Sequence, residues 1–225
     1  MNEYGVIFDM DGVLVNSYQA HLQSWQQTAA SLGLRMSPAE FAKTFGRTSR
    51  EIIQQLWPNR LNDAQIRVFD ERKERAYRES IRQDFPEMPG AGDLIAALHE
   101  AGFRIAIGSS GPAENVAVVQ QCIPNGQLVS AVAHGGEVSH GKPDPQVFLL
   151  AAQKLALKPA QCAVIEDSLV GLQAARRAGM TAIALTGTAS RETLLPHADQ
   201  VVDSLRDPAP QSIAELIRRR QGSRA

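Results

Sequence analysis

The sequence predicts an α/β protein, a doubly wound parallel sheet with an all-helical domain inserted after its first strand. Three observations carry that expectation. Val6-Ile7-Phe8 is an apolar, β-forming run that ends abruptly at Asp9-Met10-Asp11-Gly12, the pattern of a buried strand delivering polar groups to its carboxyl end. From about residue 86 onward, short apolar strands alternate with helical segments, several of which stop at glycines. Parallel neighbours need such helical crossovers. Between these parts, from about Ser17 to Asp84, the chain has helical periodicity and no β-alternation.

After the opening strand, residues 16–33 read as a helix, with Ala20, Leu22, Trp25, Ala29 and Leu32 along its apolar face. Ser37-Pro38-Ala39-Glu40 has the form of a capping box with proline at the first helical position, so a second helix starts near Pro38, and Gly46 interrupts it. Helices over 49–56 and 63–81 follow. The mixed-sign run Asp70-Glu71-Arg72-Lys73-Glu74-Arg75 in the latter is expected mostly at the surface. Pro86-Glu87-Met88-Pro89-Gly90 marks the return to the sheet. Helices are then expected over 93–101, 114–122, 147–155, 171–178 and 213–219, and strands over 104–108, 128–133, 162–165, 181–185 and 200–202. The tail Gln221-Gly222-Ser223-Arg224-Ala225 is expected to be disordered. The domain division that follows is an α/β core of 1–16 with 86–225, and a helical cap of 17–85.

A chain of 225 residues, 44% apolar and 21% charged, has the length and composition of a globular protein with a substantial core. Its 23 basic and 24 acidic residues leave a net charge of -1, and the basic ones are scattered, so neither nucleic acid nor an anionic membrane is an expected partner. No apolar run approaches a membrane span and the first residues lack a signal-peptide pattern, so a cytoplasmic protein is expected. Cys122 and Cys162, isolated from each other, read as reduced small hydrophobes.

Chemistry-capable residues cluster at strand ends or the loops after them: Asp9 and Asp11, Ser109 and Ser110, Lys142, and Glu166 with Asp167. In a parallel sheet these ends share one edge, where ligands bind. Carboxylates so close repel unless a cation or proton sits between them, which points to a divalent metal, an acid/base pair, or both. Several acids with one lysine and a hydroxyl suit an oxygen-ligated Mg²⁺ and a phosphoryl group whose remaining oxygens meet the lysine and serine. A carboxylate nucleophile can form an aspartyl-phosphate while a second acid moves the proton. Plainer readings exist for each: a turn at Asp-x-Asp-Gly, a helix cap at Ser109-Ser110, a solvated Lys142, and acids at Glu166-Asp167 that favour a helix N-terminus.

Taken together, Asp9-x-Asp11-Gly12-Val13, Ser109 after an apolar strand, Gly141-Lys142-Pro143-Asp144-Pro145, and Glu166-Asp167-Ser168 with Gly171 and Ala174-Ala175 resemble the four-motif signature of the haloacid dehalogenase superfamily. The resemblance spans nearly the whole chain. It implies a Rossmann-like core with Asp9 as nucleophile and Asp11 as general acid/base whose backbone carbonyl also reaches the metal. It further implies Ser109 on the transferring phosphoryl group, Ser110 beside it on the substrate, and Lys142 neutralising charge. The Mg²⁺ would be held by Asp9, Asp11, Glu166 and Asp167. An insert between the first and second motifs is similar to the capped subfamily of β-phosphoglucomutase and phosphoglycolate phosphatase. His21, Trp25 and Lys73 are similar to its substrate-binding cap residues, as is Arg50 of Gly46-Arg47-Thr48-Ser49-Arg50 after a one-residue shift. Ser110-Gly111-Pro112 stands where the mutase presents Lys-Asn, and Asn16 where Asp is common. The expectation is a monomeric Mg²⁺-dependent phosphatase of a small phosphorylated metabolite. The alternatives are a β-phosphoglucomutase-type isomerase and a non-catalytic protein that binds such a metabolite.

Overall fold

The computed structural model describes residues 4–44 and 49–222, so Gly46, Arg47 and the tail Ser223-Arg224-Ala225 lie outside the described residues. The chain forms two compact units, one of Met1–Asn16 with Pro86–Ala225 and one of Ser17–Phe85. Strand β1 (Gly5–Phe8) opens the first. The second unit holds α1 (Tyr18–Ala30), α2 (Pro38–Thr44), α3 (Ser49–Leu56) and α4 (Asp63–Gln83). The first then resumes with α5 (Ala91–Glu100), β2 (Arg104–Gly108), α6 (Ala113–Cys122), β3 (Ala131–Ala133), α7 (Gln146–Lys154) and β4 (Cys162–Glu166). It ends with α8 (Leu169–Arg177), β5 (Thr181–Leu185), α9 (Arg191–Leu194), β6 (Gln200–Val202) and α10 (Pro210–Gly222).

The six strands are parallel in the order β3-β2-β1-β4-β5-β6, the doubly wound architecture expected. Strand β1 is central: Val6 pairs with Ile105 of β2 on one side and Ala163 of β4 on the other. Covered on both faces, it is a continuous apolar run, with Val6, Ile7 and Phe8 fully buried. Burying such side chains stabilises the fold by roughly 1.5–3 kcal/mol each. The sequence order reverses direction between β1 and β4, which makes the carboxyl edge of these two strands the topological switch point.

Strand β3 and helices α9 and α10 differ from expectation. Strand β3 is confined to Ala131–Ala133, because residues 126–128 close a 3-10 turn after Asn125, whose φ is 63°. Helix α9 was not foreseen; four residues are too few to show periodicity, although Ser190 caps it by accepting from Thr193 N. Helix α10 runs to Gly222, and Gln221 within it donates to the carbonyl of Ala160 at 2.9 Å, so the expected disorder does not extend to these two residues. Both cysteines are free, and burial pushes the Cys162 thiol up to about 12. Among the described residues no helix is long and apolar enough to cross a membrane.

The helical unit closes around Leu22, Trp25, Phe41, Ile53 and Phe69. The capping box at Ser37 is present: Glu40 Oε2 accepts from Ser37 N at 2.8 Å and Ser37 Oγ accepts from Glu40 N at 3.2 Å. Asn62 and Gln65 form a second box, which starts α4. Helix α1 stops at Ala30, leaving Leu32 in a turn with 41% of its surface exposed rather than on an apolar face. Lys73 also departs from the surface reading of its charged run. The buried stripe of α4 steps through Ile66, Phe69, Lys73, Tyr77 and Ile81, so helical spacing puts the lysine inside. Its ammonium pairs with Glu74 at 2.6 Å and lies 5.8 Å from the centre of the Trp25 ring, so stem and charge are both accommodated.

Candidate active site

Backbone pairing brings the first two acids together. Asp9 N donates to the carbonyl of Ile165 at 3.0 Å, which extends the β1–β4 ladder one residue and sets Asp9 beside Glu166, the last residue of β4. Lys142, in the loop between β3 and α7, spans the pair: its Nζ lies 2.5 Å from Asp9 Oδ1 and 2.8 Å from Glu166 Oε1. The ammonium also stands 4.6 Å from the centre of the Phe148 ring. The lysine's loop is held by Arg177, which donates to the carbonyl of Pro143 at 3.0 Å, and by Asp144, whose carboxylate accepts from Gln146 N at 3.0 Å.

Two glycines make room for the acids. Glu166 Oε2 accepts from Ser168 N at 2.7 Å and Ser168 Oγ at 2.8 Å, which lays the carboxylate against the first turn of α8. A Cβ on Gly171 would stand 1.6 Å from Glu166 Oε1, so a side chain there would displace the carboxylate. Gly12 has φ of 78°, and a Cβ on it would stand 2.1 Å from Asp167 Oδ2. Thr188 of the β5–α9 loop donates its hydroxyl to that same oxygen.

Asp9, Glu166 and Asp167 thus form a buried cluster in which one carboxylate oxygen from each lies within 4.8 Å of the others. Burial raises the Asp9 carboxyl well above the usual carboxylate range, against the pull of Lys142 and with a further push from Glu166 and Asp11. Burial and then the charges of Glu166 and Asp9 raise Asp167 likewise, opposed by the Thr188 hydrogen bond. For Lys142, burial favours the neutral form, but Asp9 and Glu166 outweigh it and hold the ammonium charged. Lys142 pairs with two of the three buried acids and offsets one charge, so ionising all three leaves an excess of negative charge. Their all-oxygen donor set is what a hard divalent cation requires, so the residues fit Mg²⁺.

Asp11 lies outside this three-acid cluster, with its backbone bridged to Val15. Ser109 follows β2 and is buried; its N donates to the carbonyl of Ala133 at 3.0 Å, and its Oγ accepts from Gly111 N at 3.0 Å. That acceptance leaves the hydroxyl proton available. Ser110 beside it is exposed. In the helical unit, the His21 ring stacks on Tyr77 at 4.0 Å and 2°. Trp25 is enclosed against Phe69, and Arg50 is half-exposed and paired with Asp63 at 2.9 Å. Ser168 and Thr188 are the polar groups at this site to which sequence reasoning assigned no role. The strand-end rule that singled out Ser109 applies equally to the loop after β5.

The geometry has counterparts among known proteins. CbbY of Rhodobacter capsulatus is 32% identical over 94% of this chain and 97% of its own length. The fructose-1-phosphate phosphatase YqaB of Escherichia coli is 29% identical over 80% of this chain and 94% of that protein. The crystal structure of CbbY from Rhodobacter sphaeroides in complex with phosphate has a TM-score of 0.83 at 25% identity, covering 94% of this chain and 99% of that one. The family model for haloacid dehalogenase-like hydrolases matches residues 5–179, and the chain belongs to that family.

Proposed function

We propose that this hydrolase is a Mg²⁺-dependent phosphatase that works on a small phosphorylated metabolite through a phosphorylated Asp9. The observation that carries the reading is the buried meeting of Asp9, Glu166 and Asp167 at the switch point of the sheet, with Lys142 paired to the first two. A phosphate complex of one relative and the sugar-phosphate substrate in the name of another support the substrate class.

In this reading an Asp9 oxygen attacks phosphorus as the bond to the leaving oxygen breaks, and Asp11 gives that oxygen a proton. Water then attacks the phosphorus of phospho-Asp9 while Asp11 takes its proton, which releases phosphate and restores the carboxylate. Lys142 favours the ionised form of Asp9 and meets the incoming phosphoryl charge, and the free hydroxyl of Ser109 donates a hydrogen bond to a phosphoryl oxygen. Asp9, Glu166 and Asp167, with the Asp11 carbonyl, would hold Mg²⁺, which when bound would supply further neutralisation of phosphoryl charge. We assign the cap role to residues 17–85 and substrate selection to His21, Arg50 and Lys73, with Trp25 supporting the lysine.

The test is turnover of a panel of phosphorylated sugars and phosphoglycolate, with phosphate release and β-glucose 1-phosphate isomerisation assayed side by side. Phosphate release that EDTA abolishes is expected. Isomerisation with little release would instead assign a mutase, and silence in both assays would leave a binding protein.

The raised acids also give the metal a pH signature. A carboxyl whose folded pKa lies above its unfolded value favours the fold when protonated. That contribution is full below about pH 4 and is lost as pH rises through the folded value. Mg²⁺ needs the ionised oxygens and competes with these protons. At about a hundredfold excess over its dissociation constant at pH 8, Mg²⁺ should stabilise by about 2.7 kcal/mol, or roughly 5–10 °C in Tm for a chain of this size. The same Mg²⁺ concentration should raise Tm by clearly less at pH 6. Equal shifts at the two pH values in a thermal melt would show that protons and metal do not share these carboxylates.

A further inference from the structure

We propose that Thr188 is a positioning residue for the metal-binding carboxylate of Asp167 and that Asp203 holds it in place; the inference rests on the Mg²⁺ site assigned above. Strands β4 and β5 are neighbours, so the loop leaving β5 rises at the same edge as Asp167. In that loop Thr188 Oγ1 donates to Asp167 Oδ2. The same oxygen lies so close to Gly12 that a Cβ there would be 2.1 Å from it and 3.3 Å from Thr188 Oγ1. The carboxylate is therefore held in rotation at that oxygen.

The loop itself is clamped from outside the site. Thr186 Oγ1 donates to Asp203 Oδ1 at 3.0 Å and Arg191 Nη2 donates to Asp203 Oδ2 at 2.8 Å, so one carboxylate ties both ends of the segment that carries Thr188. Thr186 N also donates to the carbonyl of Val202 at 3.0 Å, while Gly187 between the two threonines takes a φ of 146°. The Arg191–Asp203 pair is largely exposed, with side-chain exposures of 48% and 66%, and exposed pairs of this kind contribute little to global stability. Its consequence is local: it fixes where Thr188 stands. Partners that orient a ligating carboxylate matter to a metal site nearly as much as the ligand itself.

The test uses isothermal titration of the purified, metal-free protein with MgCl₂, for the wild type and for Thr188→Val, Thr188→Ser and Asp203→Ala. Thr188→Val keeps the side-chain shape and removes the donor, and it should weaken Mg²⁺ binding by about tenfold or more. Thr188→Ser restores the donor and should bind within about twofold of wild type, with Asp203→Ala in between, as expected for an effect routed through a second partner. Wild-type affinity in Thr188→Val, or a Thr188→Ser variant as weak as Thr188→Val, would overturn the positioning role and leave the proposed function standing. A wild-type protein with no saturable Mg²⁺ binding would overturn both.

Discussion

Replacement of Asp9 by asparagine is expected to lower Mg²⁺-dependent phosphate release by about 10⁴-fold or more, the scale on which loss of a covalent nucleophile acts. The amide is not nucleophilic, and it exchanges the ionic contact with Lys142 for a hydrogen bond from the ammonium to a neutral oxygen of similar position. The fold should survive the change. Asp9 is a buried acid whose ionised form is disfavoured by its surroundings, so a neutral isostere removes a desolvation cost along with the favourable contact to the ammonium. The thermal melt of the variant in EDTA should accordingly stay within a few degrees of wild type and vary less with pH. The decisive measurement is phosphate release by a variant shown to be folded by circular dichroism. Turnover near the wild-type rate would rule out a phosphorylated Asp9 and leave the cluster as a metal site only.

The parts of this molecule legible in the sequence are those whose cause is local. Strands at 104–108, 181–185 and 200–202 and the helix at 49–56 stand where apolar runs and breakers place them, because each is fully described by its own residues. The Ser37–Glu40 box is legible for the same reason, since both partners lie within four residues. What the pattern leaves open is decided by distant contacts. Parallel pairing follows from the alternation of strands and helices, but the place of β1 between β2 and β4 does not, and that place sets Asp9 beside Glu166. Lys73 looks like one member of a solvated run until α4 folds with its buried stripe through that position. Thr188 is a polar residue in an exposed loop, and only the sheet order brings its hydroxyl to Asp167.

Lys142→Met tests the electrostatic core of the site most severely. The substitution keeps an apolar stem above the Phe148 ring and removes the ammonium that touches both Asp9 and Glu166. Turnover should fall by about 10²–10³-fold, the usual effect of losing a group aimed at developing charge. Stability should fall as well, and the loss should depend on pH. Without the ammonium, the Asp9 carboxyl loses the one partner that lowers its pKa, so its folded value rises further above the unfolded one. Proton binding then favours the fold at low pH, and that contribution disappears as pH rises through the raised value. Relative to wild type in EDTA, the deficit should approach about 3–5 kcal/mol at pH 8, where the Asp9 carboxylate is ionised and unpaired, and shrink toward pH 5, where it takes up a proton instead. Urea unfolding at the two pH values reads this directly. A deficit that is the same at both would mean that the lysine stabilises through its packed stem rather than its charge. Introducing the substitution into the Asp9→Asn background separates the partners. With Asp9 already neutral, only the Glu166 contact remains to be lost, so the pH-dependent part of the deficit should fall by the share that Asp9 carries.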